Sequence, residues 1–216
     1  EALELIRTFD IPAYTNGSAR GIFRNDDPLS FDRTRNKALA EADVILVVGT
    51  PFDFRLGYGK SLNPAAKVIQ IDQNYSVIGK NRDVELGLLG HAGTIFRAVV
   101  DAVSGSEKRK MAMKRKEWIA MLRSAEAEAL EKLMPLFKSE NNLINPYRVA
   151  YELNEFLEEN TIYVGDGGDV VTISAQAVRP RRPGQWMDPG PLGSLGVGTG
   201  FAIGAKLANP DKEVVC

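Results

Sequence analysis

Open parallel β-sheets with flanking helices, an α/β fold, are expected from three signals in this 216-residue chain. Val44-Ile45-Leu46-Val47-Val48 and Lys67-Val68-Ile69-Gln70-Ile71-Asp72 are short, nearly continuous apolar runs rich in β-branched residues. Such runs fill strands that are covered on both faces, as in a parallel sheet. They alternate with amphipathic stretches of helical length, the pattern of βαβ units. Glycines then cluster just after strands, where open α/β sheets gather their ligands. The densest cluster is Gly190, Gly193, Gly196, Gly198, Gly200 and Gly204.

Taken in order, Ala2 to Phe9 reads as a helix and Ile11 to Thr15 as a short strand leading into the Asn16-Gly17 turn. Arg33 to Ala42 is a helix, Val44 to Val48 a central strand closed by Gly49, and Lys67 to Asp72 a second strand. Leu86 to Leu89 forms a short third strand and Ala92 to Val103 a helix. Ser104-Gly105-Ser106 reads as a linker into a long charged helix, Glu107 to Phe137, with Trp118, Met121, Leu122, Ala125 and Leu133 along one side. Asn145-Pro146 has the chemistry of a helix start, an Asn cap followed by proline in the first turn, and that helix runs to Glu159. Thr161 to Val164 is a buried strand, Val170 to Val178 a helix and Arg179 to Gly190 a polar loop. The glycine run leads into a helix from Phe201 to Ala208, and Val214-Val215-Cys216 has the composition of a buried strand. The opening residues read as the middle of an amphipathic helix, so the chain is expected to be a piece of a larger enzyme, cut at both ends.

Bulk properties exclude several classes. A net charge of -1 supplies no field to attract nucleic acid or a membrane surface. The basic clusters Lys108-Arg109-Lys110 and Lys114-Arg115-Lys116 lie on a helix with compensating glutamates and read as a solvated face. One cysteine permits no internal disulfide and no zinc cluster, which fits a cytoplasmic setting. Cys216 itself is expected to be a buried, inert strand residue. His91, the only histidine, sits at a helix start and reads as a capping or solvated residue.

Three segments stand where chemistry is expected. In Gly165-Asp166-Gly167-Gly168-Asp169, glycines between a strand and a helix would let successive N–H groups face a phosphate, or would simply make a tight turn. The glycine run offers backbone atoms and shape, with no general base, nucleophile or metal ligand, or else close helix packing. In Gly49-Thr50-Pro51-Phe52-Asp53-Phe54-Arg55, the acid and the arginine could hold an anion or a ribose, or pair with each other.

Together these segments resemble the thiamine-diphosphate-dependent enzymes of the acetolactate synthase superfamily, which also includes benzaldehyde lyase and 2-hydroxyacyl-CoA lyase. The synthase pattern Gly-Leu-Gly-Thr-Met-Gly is Pro191-Leu192-Gly193-Ser194-Leu195-Gly196 here. The resemblance implies that the Gly193 carbonyl accepts from the cofactor's 4′-amino group and the Leu195 N–H bonds a pyrimidine nitrogen. Ser194 lies between them, and the Leu195 side chain props the cofactor in a bent form that brings its reacting groups together. Leu in place of Met conserves volume. The synthase loop Val-Gly-Gln-His-Gln aligns with Gly167-Gly168-Asp169-Val170-Val171, which places diphosphate binding on the N–H groups of Gly168, Asp169 and Val170. The Gln-His-Gln side chains are absent, and the Asp169 carboxylate is expected to turn away or cap the helix. Phe52-Asp53-Phe54-Arg55 is similar to Phe-Asp-Asp-Arg of the synthases, and Ile71-Asp72 to a ribose-binding strand end, so Arg55 and Asp72 become candidates for binding FAD or ADP.

The implied fold is a Rossmann-like middle domain over 1–104, an interdomain helical linker over 105–140, and part of a thiamine-diphosphate-binding fold over 141–216. The family's catalytic glutamate and its Mg2+ ligands fall outside this chain, so no catalytic and no metal-binding residue is assigned within it. The implied function is that of an acetolactate-synthase-like carboligase or decarboxylase acting on a 2-oxo acid, in a cytoplasmic homodimer or homotetramer. The alternatives are a lyase of the benzaldehyde or 2-hydroxyacyl-CoA type, acting on an acyloin, and a non-catalytic nucleotide-binding module.

Overall fold

The computed structural model describes residues 1–24, 26–103 and 105–216. The elements of the first half are α1 (Ala2–Phe9), β1 (Ala13–Tyr14), β2 (Ser30–Phe31), α2 (Arg35–Glu41), β3 (Val44–Val48), β4 (Lys67–Asp72), β5 (Leu86–Leu89) and α3 (Ala92–Ala102). There follow α4 (Gly105–Phe137), α5 (Pro146–Phe156), β6 (Ile162–Val164), α6 (Asp169–Ala177), β7 (Trp186–Met187), α7 (Gly198–Ala208) and β8 (Val214–Val215). The chain forms two compact units, Glu1–Ala13 with Thr34–Ser124, and Tyr14–Arg33 with Ala125–Cys216. Among the described residues no helix is long and apolar enough to cross a membrane.

The first unit is built on the parallel sheet β3-β4-β5. Side chains alternate across a strand, so a continuous apolar run serves two cores at once. Ile45, Val47 and Val68 pack with Phe52, Leu56 and Leu62 on one face. Leu46, Val48 and Ile71 pack with Leu5, Phe9, Phe96 and Val100 of α1 and α3 on the other. The connections from β3 to β4 and from β4 to β5 contain short 3-10 turns, Phe54–Gly59 and Tyr75–Val77. Phe52, Leu56 and Leu62 from the first of these connections help to cover the sheet there.

Gln70 interrupts the apolar run of β4 and is fully buried. Its Oε1 accepts from the Gly79 N–H at 2.9 Å, and its Nε2 donates to the Thr50 carbonyl at a long 3.4 Å. One buried amide thereby ties together the loops that follow β3 and β4.

The second unit repeats the scheme with the parallel sheet β7-β6-β8. Ile162 and Val164 face α7 through Ala202 and Ala205. Tyr163, between them, faces Val178, Trp186, Leu153 and Val171. A third cluster joins the end of α4 to α5 and α6 through Phe137, Tyr151, Ala150 and Ala177. Asn145 caps α5 by accepting from the Tyr147 N–H at 2.9 Å, as its sequence promised.

Residues 14–33 are fastened to this unit by charge. Arg179 pairs with Asp32 at 3.3 Å, and Arg33 pairs with Glu126 at 3.3 Å and donates to the Gln176 carbonyl at 2.8 Å. Arg20 lies over the Trp186 ring, 4.8 Å from its centroid. Burial pulls the Arg179 pKa down to about 10, with Asp32 opposing, so this guanidinium stays charged at neutral pH.

Several local expectations change. The polar loop from Arg179 to Gly190 contains β7, because pairing with β6 orders two residues whose local signal is weak, and Trp186 is buried. The last helix begins at Gly198, three residues before Phe201, and so absorbs the end of the glycine run. Gly105 and Ser106 of the expected linker are helical, while Ser104 lies outside the described residues. The strand expected from Ile11 to Thr15 shrinks to Ala13–Tyr14. Cys216, expected to be buried, is exposed.

Replacing Gln70 with leucine tests the buried amide. Although the change adds apolar surface, it leaves the Gly79 N–H without its acceptor and is expected to destabilise the protein by about 1–3 kcal/mol in urea unfolding.

Candidate functional site

The site in the second unit lies at the carboxyl ends of β6 and β7, where the loop 165–168 and the run 190–197 meet. Gly168 is the residue before α6, with φ 78° and ψ -144°, a conformation open to glycine. Asp169 is the first residue of α6, and both it and Val170 are exposed. The first N–H groups of a helix have no intrahelical acceptor. No side chain caps this one, and those of Gly168, Asp169 and Val170 have no internal partner among the described residues. The Asp169 carboxylate makes no hydrogen bond either and stands in solvent.

Across from this helix start, Gly190–Leu192 makes one 3-10 turn and Gly193 ends it in the left-handed region, with φ 63°. Ser194 and Leu195 follow, and Leu195 is 74% exposed. The Gly193 carbonyl and the Leu195 N–H are both unpartnered among the described residues. An exposed apolar side chain thus stands beside two unpaired backbone groups of opposite hydrogen-bonding sense.

The two segments touch. A Cβ at Gly167 would stand 2.5 Å from the Ser194 carbonyl oxygen and 2.9 Å from Leu195 Cδ2, and one at Gly168 would stand 3.2 Å from that same carbon. Only glycine fits at 167, and the Leu195 side chain leans toward the start of α6. The six residues expected here (Gly168, Asp169, Val170, Gly193, Ser194 and Leu195) therefore lie on two adjoining segments of one surface.

The residue that joins these segments was not singled out from the sequence. Asp166 Oδ1 accepts from the N–H groups of Gly167 at 2.7 Å, Gly196 at 2.8 Å and Val197 at 3.2 Å. The first is local, and an acid before two glycines is a turn signal. The other two come from residues 30 and 31 positions later, which no local pattern reveals. Asp188 was missed as well. Its Oδ1 accepts from the Gly190 N–H at 2.8 Å and its Oδ2 from Trp186 Nε1 at 2.7 Å.

In the first unit, Arg55 lies in the connection after β3 and Asp72 is the last residue of β4, and the two are not joined. Arg55 grips Asp53 through its Nη2 at 2.7 Å and its Nε at 3.1 Å, and the Asp53 Oδ1 also accepts from the Arg55 N–H at 2.9 Å. Asp72 Oδ1 accepts from the Asn74 N–H at 2.8 Å, a local turn. No hydrogen bond or ion pair links Arg55 with Asp72. Arg35 donates to the Arg55 carbonyl at 3.4 Å, and its own pKa is lowered, first by burial and then by the charge of Arg55. His91 precedes α3, is exposed and forms no side-chain cap. Among the described residues no three His, Cys, Asp or Glu side chains gather as metal ligands do.

The α/β unit thus brings together an uncapped helix start, an unpartnered backbone acceptor and donor, and an exposed leucine, features common at ligand sites of such folds. Comparison with known proteins agrees: residues 1–99 match the thiamine pyrophosphate enzyme central domain, and residues 166–216 the C-terminal TPP binding domain. The chain belongs to the thiamine pyrophosphate enzyme family.

It is 36% identical to human 2-hydroxyacyl-CoA lyase 2 over 98% of this chain and 33% of the human one. It is 36% identical to the zebrafish (Danio rerio) 2-hydroxyacyl-CoA lyase 2, over 97% and 34% respectively. A probable acetolactate synthase of Mycobacterium bovis is 37% identical over 99% of this chain and 38% of its own length. The chain thus spans about a third of the length of these curated relatives.

The Asp166 carboxyl is held below its ordinary value of 3.8, chiefly by the Gly167 N–H, with Gly196, Gly198 and Val197 adding to it and burial opposing. A lowered folded-state value means that the charged form stabilises the folded loop above the ordinary value, and that this contribution is lost as pH falls through the lowered one. Amide exchange at Gly196 and Val197, corrected for intrinsic rates, is expected to stay protected as pH descends to 3.8 and to accelerate only below it.

Proposed function

We propose that this chain supplies the middle and pyrophosphate domains of an enzyme that uses thiamine diphosphate to make or break a carbon–carbon bond beside a carbonyl. In this reading residues 1–104 form most of the middle domain, 105–140 the helical linker and 141–216 the cofactor-binding part. The single observation that carries it is the unpartnered pair at the glycine run, the Gly193 carbonyl and the Leu195 N–H, beside the exposed Leu195 side chain.

The residues present fit the cofactor. The Gly193 carbonyl accepts from an exocyclic amino group, and the Leu195 N–H donates to a ring nitrogen. The exposed Leu195 side chain would offer the cofactor an apolar support. The N–H groups of Gly168, Asp169 and Val170 receive the diphosphate at the positive end of α6. When bound, thiamine diphosphate supplies the electron sink that such bond making and breaking requires. The chain's part would be to hold it through these backbone groups and the Leu195 side chain. We place the Mg2+ ligands outside this chain, as the family resemblance implies. Arg55 and Asp72 are the positions proposed for FAD or ADP, in a cytoplasmic homodimer or homotetramer.

The reaction proposed first is that of an acetolactate-synthase-like carboligase, with a 2-oxo acid decarboxylated and joined to a second carbonyl compound. A lyase reading is favoured by the 36% identity to the human and zebrafish 2-hydroxyacyl-CoA lyases. Assay of the full-length enzyme with pyruvate against a 2-hydroxyacyl-CoA separates the two. Product from pyruvate alone supports the carboligase, cleavage of the carbon–carbon bond between C1 and C2 of the 2-hydroxyacyl-CoA alone supports the lyase, and neither reaction with cofactor and Mg2+ present sinks both. Leu195→Ala, which removes the prop, is expected to lower kcat by about 10²-fold with whichever substrate is used, the scale of a small misplacement of reacting groups.

A further inference from the structure

The glycine run presents a problem of order. Residues 190–197 carry three glycines with positive φ, Gly190, Gly193 and Gly196, and exposed side chains at Leu192, Ser194 and Leu195. Within the run the only internal backbone bond is the long one from the Gly193 N–H to the Gly190 carbonyl, at 3.3 Å. Glycine has the largest backbone entropy to lose. A loop so composed, left to itself, would hold two recognition atoms at no fixed spacing.

Both ends of the run are nevertheless fastened, each by a carboxylate placed just past a strand. At the front, Asp188 follows β7 and holds the Gly190 N–H, and it is itself held by the indole N–H of buried Trp186. At the rear, Asp166 follows β6 and holds the N–H groups of Gly196 and Val197. The two strands are parallel neighbours, with Val164 beside Met187. The two carboxylates therefore grow from one rigid sheet edge. Glycine at 198 serves the same arrangement, since a Cβ there would stand 3.1 Å from Asp166 Cβ.

We propose that Asp166 and Asp188 are positioning residues that clamp the two ends of the 190–197 loop, fixing the Gly193 carbonyl and the Leu195 N–H at their binding spacing before any ligand arrives. The role rests on the thiamine diphosphate reading above. Neither carboxylate touches the cofactor in it; each acts through the backbone it holds. A loop ordered in advance spares the ligand the entropy of ordering it, so losing a clamp weakens binding without removing a contact.

The test uses the full-length enzyme and the variants Asp166→Ala, Asp166→Asn, Asp188→Ala and Asp188→Asn. In cofactor-free protein, hydrogen exchange over 190–197 should rise in both alanine variants, while the overall unfolding midpoint stays near that of the wild type. Calorimetry with thiamine diphosphate and Mg2+ should show Kd raised about ten- to a hundredfold by each alanine, the scale of losing hydrogen bonds to a charged group. Asparagine keeps an acceptor oxygen of the same reach and should recover most of the affinity. With saturating cofactor, kcat should fall less than the affinity does.

Unchanged exchange in the alanine variants, or unchanged Kd despite faster exchange, overturns the proposal. Should an alanine variant fail to fold, the asparagine pair carries the test: a neutral acceptor holds its N–H less tightly than a carboxylate, so a residual rise in exchange over 190–197 is expected, and exchange equal to that of the wild type overturns the proposal. A wild-type enzyme that binds no thiamine diphosphate overturns the cofactor reading and the positioning role with it. The exchange measurement, made without ligand, still decides whether the clamp exists.

Discussion

Asp166 Oδ1 accepts backbone N–H groups from three residues, and two of those lie thirty or more positions further along the chain. That one oxygen joins the loop after β6, the end of the glycine run and the start of α7. Each of these segments has a weak reason to be ordered alone. The loop is rich in glycine, and neither the run nor the amino end of α7 has a capping side chain of its own. A carboxylate at this junction satisfies donors that would otherwise need water, and its charge suits the positive end of the helix. The rest of the site depends on it, because Leu195 is the residue just before Gly196.

The same junction explains why glycines crowd this surface more than the turns alone require. Gly167 lets the loop approach Ser194 and Leu195, and Gly198 lets α7 begin against the Asp166 side chain. Both are demands of close approach, distinct from the left-handed conformations at Gly168 and Gly193. A composition-level reading sees one glycine-rich stretch where the structure uses two different properties of the residue. That is also why the end of the run folds as helix, despite the low helix propensity of Gly198 and Gly200. The apolar contacts of Ala202 and Ala205 with β6 outweigh that preference.

What was legible in the sequence was what local pattern controls. The apolar runs from Val44 to Val48, Lys67 to Asp72 and Leu86 to Leu89 are strands at those limits, and Ala2 to Phe9 is a helix as read. The Asn145-Pro146 cap announced α5 through chemistry confined to neighbouring residues. Features made by partners distant in sequence were not legible. Trp186-Met187 is a strand only because β6 lies beside it, and its residues sit in a polar, proline-rich stretch. Asp166 reads as a turn residue until Gly196 and Val197 are brought to it. Gly193 and Leu195, by contrast, are assigned through resemblance, since a glycine run carries no side chain that would declare its use.

The two units prepare for ligands in opposite ways. In the second, the groups proposed for recognition are backbone atoms without internal partners among the described residues, so a ligand there would meet no internal competitor. In the first, Arg55 is already bidentate to Asp53, with both side chains mostly buried. An anion approaching Arg55 must either share it or exchange for a carboxylate of like charge, and an exchange between equals yields little net free energy. Affinity for a nucleotide or flavin there has to come from other sources, such as the strand-end N–H groups and the second oxygen of Asp72. Gln70 keeps the loops around them in place through Thr50 and Gly79. A preformed ion pair of this kind is better suited to shaping a pocket wall than to capturing charge. Under the proposed reading, loop geometry would set ligand specificity in the first unit, and the unpaired backbone between the two carboxylates would set it in the second.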